Sequence, residues 1–87
     1  MKEIETLRPF KGKQFKIILY EDGTLFWREG KFEKNITSLN EVMRLRDGFE
    51  SMISREEKGR PKEILESQKK ILDILNKSLN RLARRFE

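Results

Sequence analysis

Apolar and polar positions in the first third of the chain follow the pattern of β-strands separated by turns. Residues 14–20 are rich in β-branched and aromatic side chains, which is typical of a strand. Asp22-Gly23 follows and predicts a hairpin, because both central residues of a type I′ turn need positive φ. The returning strand spans residues 25–28. Glu29-Gly30 predicts a second tight turn into residues 31–36, and residues 3–8 predict a further strand that ends at Pro9.

The register of this hairpin decides which side chains share a face of the sheet. With Asp22-Gly23 as a two-residue loop, Tyr20 pairs with Leu25 and Ile18 pairs with Trp27. We expect one face to carry Phe15, Ile17, Leu19 and Phe26. We expect the second face to carry Lys16, Ile18, Tyr20, Leu25, Trp27, Phe32 and Lys34. A small sheet that is apolar on both faces needs two covers.

The last fifty residues have the periodicity of amphipathic helices. Residues 38–41 (Ser-Leu-Asn-Glu) form a capping box, and apolar residues then recur at spacings of three and four. Gly59 is suited to closing this helix and Pro61 to opening the next, over residues 61–86. Gln68 lies within the apolar stripe of the last helix. The leucines and phenylalanine that we expect to form an oligomerisation seam are Leu65, Leu72, Leu75, Leu79, Leu82 and Phe86.

These elements predict an α+β fold, in which a three- to four-stranded antiparallel meander precedes two helices. We expect a sheet-plus-helix domain over residues 1–60 and a C-terminal oligomerisation helix over residues 61–87. Three heptads at 1.5 Å per residue give a zipper-like seam of about 33 Å, which favours a homodimer or higher homo-oligomer. The alternative is pairing with the preceding helix of the same chain, which the short connection at residues 59–61 permits. Both arrangements coexist in a four-helix dimer core.

The composition favours a binding protein over an enzyme. The 87 residues include no Cys and no His, so the commonest general base, the Ser-His and Cys-His arrangements and thiolate zinc sites are excluded. We expect no cofactor and no metal. No apolar run reaches the ~18 residues of a membrane span, and we expect a cytoplasmic protein without a membrane partner. Many Lys and Glu residues without Cys suit a heat-adapted organism.

Charge and aromatic residues together indicate the kind of partner. Lys and Arg outnumber Asp and Glu by 20 to 15, and the stretch between Thr6 and Tyr20 holds four basic residues and no acidic one. Rings at Tyr20, Trp27 and Phe32 accompany these cations. Bases of single-stranded nucleic acid stack on such rings while cations contact the phosphates. The alternative is that the rings are core residues under a helix and the basic stretch is an ordinary solvated loop.

An ordered set of short motifs resembles a known family. The run Arg8-x-Phe10-Lys11-Gly12-Lys13, a strand ending in Tyr20, Asp22-Gly23, and then residues 34–41 before a helix resemble the core of the positive cofactor 4 transcription coactivators. The resemblance covers residues 6–53 and implies a curved antiparallel sheet that binds single-stranded DNA and a helix that dimerises. Asn35 stands where that family usually has Gly, and its core lacks the long last helix. A sheet followed by a zipper is also similar, in architecture only, to ThermoDBP, the single-stranded DNA-binding family of thermophilic archaea.

We therefore expect a homodimer that binds single-stranded DNA or RNA without sequence preference. The residues expected to contact the strand are Arg8, Phe10, Lys11, Lys13, Lys16, Tyr20, Trp27, Arg28, Phe32 and Lys34. One alternative is a protein-interaction module whose apolar sheet face meets another protein. Another is a small regulator that binds duplex DNA.

Overall fold

Four strands precede two helices in the computed structural model, which describes residues 2–56, residue 59 and residues 61–85. The elements are β1 (Glu3–Leu7), β2 (Phe15–Tyr20), β3 (Leu25–Glu29), β4 (Phe32–Ile36), α1 (Leu39–Glu56) and α2 (Lys62–Arg84). The strands form one sheet in the order β1-β2-β3-β4, and each neighbouring pair is antiparallel. The predicted α+β fold, a meander followed by two helices, is confirmed.

The turn between β2 and β3 contains three loop residues rather than two. The Gly23 N–H donates to the Tyr20 carbonyl oxygen, and the Tyr20 N–H donates to the Thr24 carbonyl oxygen, each at 3.0 Å. Gly23 has a φ of 94°, whereas Asp22 does not have the positive φ that a type I′ turn needs. The Asp22 carboxylate instead accepts hydrogen bonds from the Thr24 N–H at 3.0 Å and the Thr24 hydroxyl at 2.7 Å.

This longer loop shifts the β2–β3 register by one residue from the predicted one. Leu19 lies opposite Leu25, and Ile17 lies opposite Trp27. A one-residue shift moves every side chain of the returning strand to the other face of the sheet. The predicted faces of β3 were therefore wrong: Leu25 and Trp27 share the face of Ile17, and Phe26 takes the opposite one.

The second turn also differs by one residue from its prediction. Glu29 lies opposite Phe32, so the loop is Gly30-Lys31 rather than Glu29-Gly30. Gly30 has a φ of 65°, which suits glycine at the first central position of a type II′ hairpin turn. Its N–H donates to the Gln14 carbonyl oxygen at 2.6 Å and so links this turn to the start of β2.

Both helices pack on the same face of the sheet. The buried core is formed by Ile17, Leu19, Leu25, Trp27, Ile36, Val42, Ile71, Ile74, Leu75 and Leu82. Because α1 and α2 both contribute to this one cluster, the protein has two layers, and its sheet has one covered and one uncovered face. In the described part of the chain, neither helix is both long enough and apolar enough to span a membrane.

The apolar stripe of α2 faces its own chain. Leu65, Leu75 and Leu82 are buried, and Leu72 and Leu79 are partly buried. The sixth residue of the expected seam, Phe86, lies outside the described residues. This helix therefore packs against α1 and the sheet, which is the intrachain alternative. Its buried leucines offer no exposed seam to a second chain.

Candidate nucleic-acid interface

The uncovered side of the sheet, called here the open face, combines rings and cations. Side chains alternate along each strand, so those that do not point into the core point to this side. With the observed pairing, the open face includes Glu3, Thr6, Lys16, Ile18, Tyr20, Phe26, Arg28, Glu33 and Asn35. Neither described helix packs against it.

The centre of the open face is apolar. Ile18 is only 5% exposed although no helix covers it, and its cross-strand neighbours are Thr6 and Phe26. Tyr20 and Phe26 are both half-buried. Since Phe26 lies opposite Ile18 and Tyr20 is two residues further along β2, these two rings are diagonal neighbours, which are typically about 7–8 Å apart in a sheet. They form a ring-bearing surface beside a buried aliphatic centre.

One end of the open face concentrates positive charge. Lys16 lies directly opposite Arg28, and like charges in this position repel each other. Arg28 Nε forms an ion pair with Glu33 Oε1 at 3.5 Å, and both side chains are about half exposed. The like charges of Lys16 and Arg28 therefore lie side by side on the sheet. Such a local conflict is common where a charged ligand binds.

Trp27 belongs to the core and not to the open face. It is 6% exposed, and its ring centroid lies 5.3 Å from that of Phe15 and 6.2 Å from that of Phe49. Phe10 extends this aromatic cluster by its contact with Phe15 at 5.7 Å. The indole N–H donates to Glu29 Oε1 at 3.2 Å. The expected base contact by Trp27 is therefore corrected, because its ring is buried in the core next to Phe15 and Phe49.

Phe32 and Lys34 lie on the helix side of β4, away from the open face. The Phe32 side chain is 59% exposed, and the Lys34 ammonium forms an ion pair with Glu41 of α1. The residues around them line an apolar groove between β4 and α1 that also includes Ile36 and Leu45. The expected single patch is thus divided between the two sides of the sheet.

The basic stretch forms the loop between β1 and β2. Arg8, Lys11 and Lys13 are exposed, and Lys13 Nζ lies 5.9 Å from the centroid of the Phe10 ring. Leu7 lies opposite Ile17, so Arg8 is at the same end of the sheet as Lys16. The loop therefore adjoins the cationic end of the open face.

Phe26 lies on the open face although the sequence pattern predicted the opposite face for it. The predicted register places Phe26 with Phe15, Ile17 and Leu19, whereas it places Lys16, Ile18 and Tyr20 together, as they are in the structure. A signal existed: Asp-Gly also ends three-residue loops, in which only the glycine takes positive φ. With a three-residue loop at Asp22-Gly23, the predicted face of Lys16, Ile18 and Tyr20 carries Phe26 in place of Trp27.

No protein-family model matches the chain, and no curated protein or solved structure matches it at a significant level. The case for any function therefore rests on the geometry and charge of this chain. Across residues 2–56 and 61–85, no group of three or more side chains of the metal-binding types is positioned to hold an ion.

Proposed function

We propose that the open face binds single-stranded DNA or RNA without sequence preference. The observation that carries the proposal is the pair of partly exposed rings, Tyr20 and Phe26, on an uncovered sheet face next to the Lys16–Arg28 pair. Bases stack on the rings, and the two cations contact the phosphates. Stacking tolerates every base because each has a flat π-face, so little sequence preference follows.

Two energetic terms determine the expected affinity for single strands and its dependence on salt concentration. Stacking on one ring contributes about 1–3 kcal/mol, which corresponds to roughly a 5- to 150-fold change in affinity. Each neutralised phosphate releases counterions and gives log K a slope of about −0.7 against log salt concentration. The net charge of +5 also attracts a polyanion at long range.

A homodimer remains part of the proposal, because two copies of the open face increase avidity for a long strand. Its support is Leu72 of the expected seam, which is partly exposed on α2. Sedimentation velocity at several protein concentrations tests this part separately. A species of twice the chain mass is expected, and a monomer at all concentrations would remove the dimer from the proposal.

A second candidate is a protein-interaction module. The groove between β4 and α1 supports it, since Phe32 is a large ring that is 59% exposed beside apolar neighbours. Exposed aromatic residues at the edge of an apolar groove often anchor a protein partner. This candidate predicts that removing the Phe32 ring abolishes partner binding, while removing the Tyr20 ring does not.

The test of the proposed function is fluorescence anisotropy of end-labelled oligonucleotides titrated with the protein. Single-stranded DNA, matched RNA and the duplex are compared at low and high salt. We expect saturable binding to single strands, weaker binding to the duplex, and a steep loss with salt. Absence of saturable single-strand binding at low salt contradicts the proposal, and tighter binding to the duplex favours the duplex regulator.

A further inference from the structure

A second charged surface lies on the helix side, in a cleft of about 740 Å³ between the β1–β2 loop and the first half of α2. The loop contributes Arg8, Lys11 and Lys13 to this cleft. The helix contributes Glu63, Glu66 and Lys70, whose spacing places them on one face of α2. All six side chains are exposed. The cleft is thus lined by four cations and two carboxylates.

The charges in this cleft are not paired with one another. In the described part of the chain, no ion pair of 4.0 Å or less joins Arg8, Lys11 or Lys70 to a carboxylate. Cations elsewhere on the surface do have such partners: Lys77 Nζ lies 2.7 Å from Glu5 Oε1 and 3.1 Å from Asp73 Oδ2. Unpaired cations that converge on one cleft leave their charge available to an anionic ligand.

The cleft continues from the cationic end of the open face. Arg8 directly follows Leu7, whose cross-strand partner Ile17 directly follows Lys16. Arg8 also lines the cleft. A nucleic-acid strand that extends past Lys16 is therefore beside Arg8, which lines the cleft together with Lys11 and Lys70.

We propose that this cleft is a second contact for single-stranded nucleic acid and holds backbone phosphates of a strand that extends past the open face. The proposal rests on the proposed function and adds α2 to the binding surface. Glu63 and Glu66 face the same phosphates and repel them. Because of this repulsion, the cleft adds affinity for long nucleic-acid strands but does not bind short ones tightly. Removing one of the carboxylates increases the contribution of the cleft to the affinity for long strands.

The test compares labelled oligomers of about 5 and about 20 nucleotides, which lie near the lower limit and above the upper limit of the roughly 4–16 nucleotides that one single-strand binding domain covers. Lys70→Gln is expected to weaken binding of the long oligomer several-fold, to reduce its salt slope by about 0.7, and to leave the short oligomer unchanged. Glu66→Gln is expected to tighten binding of the long oligomer, an effect that loss of folding does not produce. Arg84→Gln removes one exposed cation from the far end of the same helix and serves as the matched control.

The outcomes separate this inference from the proposed function. If Lys70→Gln weakens both oligomers equally or neither, or if Glu66→Gln fails to tighten binding of the long oligomer, the cleft contact is overturned. If the short oligomer does not bind the unaltered protein while the long one binds with the predicted dependence on Lys70 and Glu66, the cleft contact holds and the open face fails.

Discussion

The hydroxyl of Ser78 in α2 donates a buried hydrogen bond of 2.5 Å to the backbone carbonyl oxygen of Gly23 in the β2–β3 turn. One helical turn later, the Arg81 guanidinium donates to the Glu21 carbonyl oxygen at 3.1 Å. The last turns of α2 therefore lie against the three-residue loop that sets the register of the sheet. Because this register places Phe26 rather than Trp27 on the open face, α2 helps to maintain the candidate interface.

Gly23→Ala is expected to destabilise the fold strongly. A Cβ at this position lies 2.8 Å from the Leu82 backbone nitrogen and 2.9 Å from the Arg81 Cβ, and the φ of 94° is unfavourable for alanine. The left-handed backbone costs about 1–2 kcal/mol, and the overpacking adds about 1–3 kcal/mol. Urea unfolding followed by circular dichroism measures the loss.

Gly12→Ala is the matched control for this substitution. Gly12 also has a positive φ, 76°, but nothing lies within 4 Å of a Cβ built there. Its loss of stability is expected to reflect the backbone term alone. Equal losses for the two variants would show that α2 does not contact the turn as described.

Ser78→Ala is expected to cost about 1–3 kcal/mol, because it leaves the buried Gly23 carbonyl oxygen without this donor. Ser54→Ala, at an exposed position of α1, is the control and is expected to change the unfolding free energy little. A Ser78→Ala protein as stable as the unaltered one would show that this hydrogen bond does not stabilise the fold.

Gln68→Met is expected to raise the free energy of unfolding by about 1 kcal/mol. Gln68 is 3% exposed, and its Nε2 donates to the Met52 sulfur at 3.2 Å. Its Oε1 is buried and has no hydrogen-bond partner among the residues that the structure describes. Methionine removes the unsatisfied oxygen at similar volume. Gln14→Met, at an exposed position, controls for the general effect of methionine. A loss of stability in Gln68→Met would contradict this description of the helix interface.

Asp22 is expected to make the turn sensitive to acid. Partial burial acts to raise the pKa of Asp22, but hydrogen bonds from the Thr24 hydroxyl and N–H and the Arg85 charge outweigh it and hold this pKa below its usual value. The nearest Arg85 nitrogen lies 3.9 Å from Asp22 Oδ2. A pKa that is lower in the folded state means that the carboxylate stabilises the fold at neutral pH.

This stabilisation is fully present above the unfolded pKa of about 3.9 and is lost as the pH falls through the lower folded value. Asp22→Asn keeps a side-chain oxygen for Thr24 but removes the charge. The difference in urea midpoint between the two proteins is therefore expected to be largest at neutral pH and to shrink in acid. A difference that does not change with pH would show that the Asp22 charge plays no part.

Local sequence patterns predicted the elements well but not the register. Both faces of β2 carry apolar residues, Ile17 and Leu19 on one and Ile18 and Tyr20 on the other, so alternation alone does not identify the buried face. Which side chains of β3 are buried depends on the length of the loop, and this depends on whether Asp22 takes a positive φ. The periodicity of the sequence does not reveal that φ. A difference of one residue in loop length was enough to place Phe26 on the open face and Trp27 in the core.

The helical stripe of α2 posed a different problem. Its 3-4 spacing predicted an amphipathic helix correctly, because such spacing places apolar side chains on one face. Spacing does not indicate whether the surface that covers this face belongs to the same chain. The burial of Leu75 and Leu82 against the sheet follows from the tertiary fold, in which the sheet needs α2 as part of its cover.

We propose above that bases stack on the surface formed by Tyr20 and Phe26. Anisotropy titrations of a labelled single-stranded oligonucleotide with Tyr20→Ser, Phe26→Ser and Phe32→Ser proteins, each first shown by circular dichroism to be folded, test it most directly. We predict that Tyr20→Ser and Phe26→Ser each weaken binding by roughly 5- to 150-fold and that Phe32→Ser, which removes an exposed ring on the helix side, leaves it unchanged. Unchanged affinity in both open-face variants would contradict the account.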